Sequence, residues 1–290
     1  NTLTFNTYEI SGAIDLKTGK IQKYNFKNAG SEVISTFPEP YFWRAPTDND
    51  FGNRMPVNLA AWKSATNNEP TVKDVKVGKK SVEGLPVTVT YQLAEVDVPY
   101  TVEYLIKNDG DVKVTASIDM TGKDLPELPR FGMRLILPGD YENLSYYGRG
   151  PWENYSDRKM SAFIGAYEDK VENQFTWTYI RPQESGYKTD VRWLKLTDNQ
   201  GKGIQIEGEQ PIGFSALNVS TEEIDPGRSK DQKHPTELTV EDKVFLHVDL
   251  KQRGLGGLNS WGQYPHEDYR LEDDRYSYSY TISLVRGISN

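Results

Sequence analysis

The segment FWRAPTDNDFG brings together residue types that could do chemistry: Arg44 is followed by Asp48, Asn49 and Asp50. Carboxylate and amide oxygens at this spacing suit three roles. They could hold a hard metal ion, contact a polar ligand, or lock a loop through hydrogen bonds to the arginine. The segment alone leaves all three open.

Histidines and further carboxylates offer a second set of candidates. The three histidines show no metal-ligand spacing, and His247 alternates with Val248 on a predicted strand, which favours a structural role. Glycoside hydrolysis needs two carboxylates about 5 to 9.5 Å apart across a sugar. The chain has 42 acidic residues, so a catalytic pair cannot be chosen from sequence. Glu153 and Glu184 stand out only by their unusual local contexts.

A glycine-rich segment ends in Trp261, within the run HVDLKQRGLGGLNSW. A flat indole ring on such a loop suits the apolar face of a pyranose. The alternative, given equal weight, is a tryptophan that plugs the end of a β-sandwich.

Alternating apolar and polar residues predict an all-β chain. Asn108-Asp109-Gly110 predicts a hairpin between two such runs. One helix is predicted over residues 57–65, and Ser220 and Glu223 have the spacing of a capping box. Gly148 to Pro151 is interpreted as a turn, with Asp157 and Arg158 as a pair. The predicted strands are 2–5, 20–26, 87–93, 101–107, 112–118, 131–137, 191–196, 203–206, 244–250 and 276–284. Residues 1–290 are expected to form one large antiparallel β-sandwich.

Composition excludes several classes of protein. The net charge of −8 argues against nucleic-acid binding, and no apolar run approaches the roughly 20 residues of a membrane span. The absence of cysteine excludes disulfides, thiol catalysis and zinc–thiolate sites. The chain opens NTLTF without an initiator methionine, so we interpret it as part of something longer. It is expected to be soluble, cytoplasmic or periplasmic, with the compartment undetermined.

Four segments, in this order, resemble the C-terminal small-chain domain, the fifth domain, of β-galactosidases of glycoside hydrolase family two. The ordered set covers nearly the whole chain and is far more specific than any single motif. The matching segments are FWRAPTDND at residues 42–50, YGRGP with ENY and DR between residues 147 and 158, PQE with DVRW between 182 and 193, and HVD with GG and SW between 247 and 261.

The resemblance implies a galactose-mutarotase-like β-supersandwich. It also implies that the catalytic glutamates lie in a separate TIM barrel, which is absent from this chain and belongs to the same chain or a large subunit. No cofactor is expected in this domain; divalent metal (Mg²⁺) and Na⁺ are expected in the barrel. The implied partners are a β-galactoside, the barrel and the N-terminal domains, in an oligomer. The parent enzyme would hydrolyse terminal β-D-galactosides with retention, and this chain alone is expected to be inactive.

By the resemblance, Trp261 is the substrate-binding residue, packing against the sugar as part of the pocket wall, and no catalytic residue lies in this chain. Leu258 and Asn259 stand where the family commonly has acidic residues, which puts the polar contacts of the loop in question. The alternative function is a free-standing carbohydrate-binding or aldose-epimerase-like protein, for which His247 and Glu184 would be the acid and base. Candidates for an interface or pocket rim are Arg44, Asp48, Asn49, Asp50, Glu184, His247 and Ser260.

Overall fold

Strands dominate the fold, as the alternating sequence predicts. The structure, a computed structural model, describes residues 1–27, 32–231, 233–256, 259 and 261–287. A small antiparallel sheet comprises β1 (Thr2–Asn6), β2 (Ile10–Asp15) and β3 (Ile21–Phe26). The large sheet has 12 strands, all in antiparallel pairs. They are β4 (Thr36–Tyr41), β5 (Thr71–Val77), β6 (Leu85–Leu93), β7 (Val98–Ile106), β8 (Val112–Asp119), β9 (Arg130–Pro138), β10 (Asn143–Gly150), β11 (Phe163–Lys170), β12 (Lys188–Thr197), β13 (Gly203–Leu217), β14 (Lys243–Gln252) and β15 (Arg275–Val285).

The large sheet branches at β13. Its order along one path is β11-β10-β12-β13-β15-β8-β7-β6-β5, while β14 joins β13 to β9, and β4 adds to β9. The 15-residue β13 makes this possible because its first half pairs with β15 and its second half with β14. The predicted all-β, antiparallel architecture is confirmed.

The hydrophobic core follows from the alternation on each strand. In β6, Val87, Val89, Tyr91 and Leu93 are buried while the residues between them are partly exposed. Buried residues of both sheets form one contiguous cluster. Within it, the ring of Phe42 lies 5.6 Å from those of Trp62 and Tyr100 and 6.4 Å from that of Phe131, between centroids.

The helices are short. They are α1 (Asp48–Gly52), α2 (Met55–Asn58), α3 (Ala60–Asn67) and α4 (Thr221–Ile224), with 3-10 helices at Val171–Asn173, Pro235–Glu237 and Glu267–Tyr269. The single predicted helix over 57–65 is two helices, because the chain leaves helical geometry at Leu59. Ser220 caps α4 by accepting from the Glu223 N–H, but the predicted capping box is only half formed, because the Glu223 carboxylate accepts from Lys233 and the Thr239 N–H instead. Within the described ranges, no helix is long and apolar enough to cross a bilayer.

The interpretation of Gly148 to Pro151 as a turn is wrong for the three residues before the proline. They end β10, with Gly148 opposite Gly165 and Gly150 opposite Phe163 on β11. Glycine is needed at 148 for close approach, since a Cβ there would lie 2.6 Å from a methyl carbon of Val191.

Candidate functional site

Asp50 is the hub of the FWRAPTDND segment. Thr47 caps α1 by accepting from the Asp50 N–H at 3.3 Å, while Asp50 Oδ2 accepts from the Thr47 N–H at 2.8 Å, which completes a capping box. The same carboxylate forms an ion pair with Arg44, with Nη2 and Oδ1 3.1 Å apart. Arg253 Nη1 donates to the same oxygen, Asp50 Oδ1, at 3.0 Å. We call Arg44, Asp50 and Arg253 the lock; all three side chains are buried.

The lock continues into a second acidic group. Arg253 Nε donates to Glu127 Oε1 at 3.0 Å, and Arg270 Nε donates to Glu127 Oε2 at 2.9 Å. Burial lowers the pKa of Arg253, and the charges of Asp50 and Glu127 oppose that shift. Two carboxylates therefore neutralise the buried guanidinium groups, which is the condition for keeping such charges inside a protein.

Three side chains hold the glycine-rich segment before Trp261. Arg44 Nη2 donates to the carbonyl of Gly254 at 3.2 Å, and Asn49 Nδ2 donates to the carbonyl of Gly256 at 3.3 Å. The Gly256 N–H donates to Asp157 Oδ2 at 2.9 Å. Asp157 therefore binds the glycine-rich segment. The predicted pairing of Asp157 with Arg158 is wrong, and Arg158 pairs with Glu153 instead. The FWRAPTDND motif thus fixes a loop some 200 positions further along the chain.

Trp261 lies at the surface of the protein. Its side chain is 92% exposed, and its backbone N–H donates to Asn259 Oδ1 at 2.9 Å. That exposure rules out the tryptophan as a plug at the end of the sandwich. A Cβ on the next residue, Gly262, would lie 2.7 Å from the carbonyl oxygen of Gly52, so the loop packs against the end of α1. Ser260 and Leu258 lie outside the described residues.

Asp48 marks the exposed side of α1. Its side chain is 54% exposed, and its Oδ1 lies 3.2 Å from Arg181 Nη2 and 2.9 Å from Lys230 Nζ. Partial burial opposes the effect, but these two cations lower the pKa of the Asp48 carboxyl. The guanidinium of Arg181 also lies 5.0 Å from the ring centroid of Phe51. Asp48 is therefore available to a partner surface, next to the loop that carries Trp261.

A second buried set, the Arg130 cluster, comprises Arg130, Glu184, His247 and Asp249. Arg130 Nε lies 3.1 Å from Asp249 Oδ2, an ion-pair contact without hydrogen-bond geometry, and Arg130 Nη2 lies 3.5 Å from Glu184 Oε1. Arg130 Nη1 lies 3.0 Å from His247 Nδ1. Because a guanidinium only donates, His247 Nδ1 accepts, and the proton of the neutral ring is on Nε2, 3.4 Å from Thr221 Oγ1.

The electrostatics of the Arg130 cluster fit a structural core. Burial, with the charges of Arg130 and Arg134, holds the pKa of His247 well below its usual value. Burial raises the pKa of Glu184 against the opposing charge of Arg130, and it raises the pKa of Asp249 to about 7. A neutral histidine, a shared arginine and the raised pKa of the Asp249 carboxyl lower the cost of burying these groups.

Glu153 ties three loops together. Its carboxylate accepts from Thr176 Oγ1 and the Gly186 N–H, both at 2.8 Å, from Tyr179 Oη, and from Arg158 Nη2 at 2.6 Å. Burial favours the neutral acid, but these donors, Tyr179 foremost, lower the pKa of Glu153. A fully hydrogen-bonded carboxylate of this kind is a loop anchor and a poor proton donor.

The structure places only some of the candidate residues from the sequence near Trp261. Asp48 and Asn49 lie at or near the surface beside the Trp261 loop, whereas Arg44, Asp50, Glu184 and His247 are buried and present no surface to a partner. Sequence reasoning missed Arg130, Arg253 and Glu127. Among the described residues, no group of three or more histidine, aspartate or glutamate side chains could hold a metal ion.

Solved structures with similar chain paths include a galactose mutarotase-like protein from Lactobacillus casei and a galactose mutarotase related enzyme from Lactobacillus acidophilus. The first has 10% identity and a TM-score of 0.48, covering 98% of this chain and 100% of its own. The second has 10% identity and a TM-score of 0.49, covering 99% of this chain and 98% of its own.

The sequence comparisons concern much nearer relatives. The chain is 35% identical over 283 residues to a beta-galactosidase of Priestia megaterium, covering 98% of the chain and 26% of that protein. It is 36% identical over 265 residues to a beta-galactosidase of Streptococcus thermophilus, covering 90% of the chain and 24% of that protein. The chain thus spans about a quarter of the length of these relatives. The family model for the beta galactosidase small chain matches residues 6–282. The chain therefore belongs to the beta-galactosidase small-chain family.

Proposed function

We propose that this domain forms part of a retaining β-galactosidase that hydrolyses terminal β-D-galactosides, and that Trp261 contributes a wall of the sugar pocket. The observation that carries the proposal is a 92% exposed indole on a loop held by Arg44, Asn49 and Asp157. An exposed indole ring offers a flat apolar face to a pyranose.

The domain supports substrate binding and leaves proton transfer to other residues. The carboxylates considered above are held as ion pairs or anchors: Asp50 by Arg44, Glu184 by Arg130, and Glu153 by four donors. A retaining glycosidase needs a nucleophile and an acid about 5 to 5.5 Å apart and facing the sugar. We place both, with any Mg²⁺ or Na⁺, in a catalytic barrel outside this chain, and expect the chain alone to be inactive.

The barrel would meet this domain at the end that carries Trp261. Asp48 offers an exposed charge there, and α1 and the glycine-rich loop are packed together through Asn49 and Gly262. The oligomeric assembly expected from the family resemblance stays a prediction, which sedimentation of the intact enzyme would test.

The test of the proposal is steady-state kinetics of Trp261→Ala in the intact enzyme. If the ring binds ground state and transition state about equally, KM should rise about tenfold, equivalent to about 1.4 kcal/mol, with a smaller fall in kcat. Tyr8→Ala is the matched control, because it also removes an exposed aromatic side chain. An unchanged KM, or an equal loss with Tyr8→Ala, would count against a pocket-wall role for Trp261.

The aldose-epimerase alternative receives no support from the positions of His247 and Glu184. Both are buried, and both are directed at Arg130. An acid and a base must reach the anomeric centre of a sugar, which these side chains cannot do in this arrangement. Epimerase activity of the chain that disappears in Glu184→Gln would reverse that conclusion.

A further inference from the structure

A large cleft opens on the surface formed by the segments around Trp152, Phe175 and Val219. Its volume is about 940 Å³. Sites for small ligands usually span about 300 to 1,000 Å³, so this cleft has room for a ligand of more than one ring. Trp261 does not line this cleft, which is therefore distinct from the proposed sugar pocket.

Two indole rings line the cleft and remain open to solvent. Trp152 is 74% exposed and Trp177 is 41% exposed. The ring of Trp177 rests on that of the buried Phe175, with centroids 4.6 Å apart, which gives it a firm backing. Trp152 lies directly before Glu153, whose carboxylate is fixed by four donors. The cleft therefore offers two aromatic surfaces: the Trp177 ring, which is backed by a buried neighbour, and the exposed Trp152 ring, which is next in sequence to the anchored Glu153.

A buried lysine lies among the lining residues. Lys188 Nζ donates to Gln174 Oε1 at 2.9 Å and to the Gly186 carbonyl at 3.2 Å. An ammonium has three N–H donors, so these two acceptors leave one for a ligand. Burial lowers the pKa of Lys188 to about 8, against the attraction of Glu153 and Asp169. Among the residues that the structure describes, no carboxylate forms an ion pair with Lys188, which is rare for a group buried this deeply.

The charges around the cleft select against anions. Glu153, Asp169 and Glu172 line it beside the single Lys188. Asp169 already accepts from Asn173 Nδ2 at 2.8 Å and from Gln174 Nε2 at 2.7 Å. A neutral ligand rich in hydroxyl groups can use the free lysine donor and the remaining acceptor positions without repulsion. A ligand that also has flat apolar faces can stack on the indoles.

We propose that this cleft is a second carbohydrate site that binds a neutral oligosaccharide, with a sugar ring on Trp152 and a hydroxyl oxygen accepting from Lys188. The site would bind glycan without cleaving it, and would hold polymeric or extended substrates near the enzyme. It is separate from the Trp261 pocket and does not depend on that assignment.

Titration with a sulfur-linked β-galactotetraose, which resists hydrolysis, tests the site. We expect saturable binding to the 290-residue chain by calorimetry, with affinity at least tenfold weaker in Trp152→Ala and in Lys188→Gln. Tyr8→Ala, which removes an exposed aromatic side chain outside the cleft, is the control and should bind within twofold of the unchanged chain. Because Trp152 is exposed, Trp152→Ala should keep the unfolding midpoint of the parent, which separates lost binding from lost folding.

Three results would overturn the proposal. The first is absence of saturable binding by the chain at millimolar tetrasaccharide. The second is binding that survives Trp152→Ala and is lost in Trp261→Ala, which would place the sugar at the other site. The third is binding by the chain that disappears in the intact enzyme, which would identify the cleft as an interface with another domain. A failure here leaves the kinetic test of Trp261 unaffected.

Discussion

Replacing Asp50 by asparagine should remove a large part of the stability of the domain. The change keeps the shape of the side chain and its place in the α1 capping box, but it removes the charge that neutralises two buried guanidinium groups. Arg253 would retain Glu127 at 3.0 Å, whereas Arg44 would keep only the carbonyls of Ala45 and Gly254. The perturbation therefore leaves one arginine buried without a counter-charge.

The expected cost follows from the burial of the pair. Both Arg44 and Asp50 have fully buried side chains. Breaking a buried ion pair from one side costs about 3 to 5 kcal/mol, because the remaining charge is desolvated without compensation. Domains are usually stable by about 5 to 15 kcal/mol, so the loss is a large part of the total. With a urea dependence of up to about 3 kcal/mol per molar, the midpoint should fall by about 1 M or more.

Urea unfolding of the chain, followed by near-UV circular dichroism, measures this loss. The matched control is Asp48→Asn, two residues away on the same helix, where the side chain is 54% exposed. Exposed ion pairs contribute about 0 to 1 kcal/mol, so that variant should stay close to the parent. Equal midpoints for Asp50→Asn and Asp48→Asn would refute the reasoning that burial makes the lock essential.

Three further predictions concern other residues. Gly132→Ala should destabilise the chain by about 1 to 3 kcal/mol in urea unfolding, because a Cβ there would lie 1.8 Å from Asp249 Oδ1. Gly165→Ala should cost less, because a Cβ there would meet the Tyr167 ring at 3.2 Å. A larger loss of stability for Gly165→Ala than for Gly132→Ala would contradict the packing. The folded-state pKa of Asp249 is raised to about 7, so the folded chain binds a proton that the unfolded chain has released; its contribution is present below about pH 4 and is lost as pH rises through 7. The urea midpoint of the parent chain should therefore rise relative to that of the Asp249→Asn variant as pH falls from 8 to 5. A difference between the two midpoints that does not change with pH would rule this out. Asp157→Ala should raise KM in the intact enzyme by freeing the Gly256 N–H, with the free energy of unfolding reduced by about 1 kcal/mol or less. An unchanged KM would show that the loop does not need this anchor.

The regular strands could be predicted because their alternation records burial on one face. Runs such as that of β6 carry this signal without interruption. β4 was missed because Pro38 and Pro40 interrupt its pattern; it pairs with β9 alone, and an edge position tolerates proline. The α1 helix was missed although Thr47 and Asp50 have capping-box spacing, a signal present in the sequence but interpreted as turn chemistry.

The buried ion pairs could not be predicted, because their partners are far apart in the chain. Arg253 meets Asp50 and Glu127 only when β14 ends beside α1, and nothing local to the arginine indicates this. A loop locked by hydrogen bonds was one of the three roles that the FWRAPTDND segment left open. The reach of its hydrogen bonds to Gly254 and Gly256 depends on the tertiary fold.

The position of β15 has a consequence for how the chain acquires its fold. β15 follows all the other strands in the chain, yet it lies in the interior of the large sheet, between β13 and β8. During synthesis on a ribosome, until β15 has been made, β13 and β8 would therefore each have an unpaired edge. Each edge is a template for pairing with another chain. Completion of β15 closes both edges at once, as Tyr280 faces Val114 on one side and Gly208 on the other. Premature termination before residue 275 should thus yield aggregates and not a smaller soluble domain.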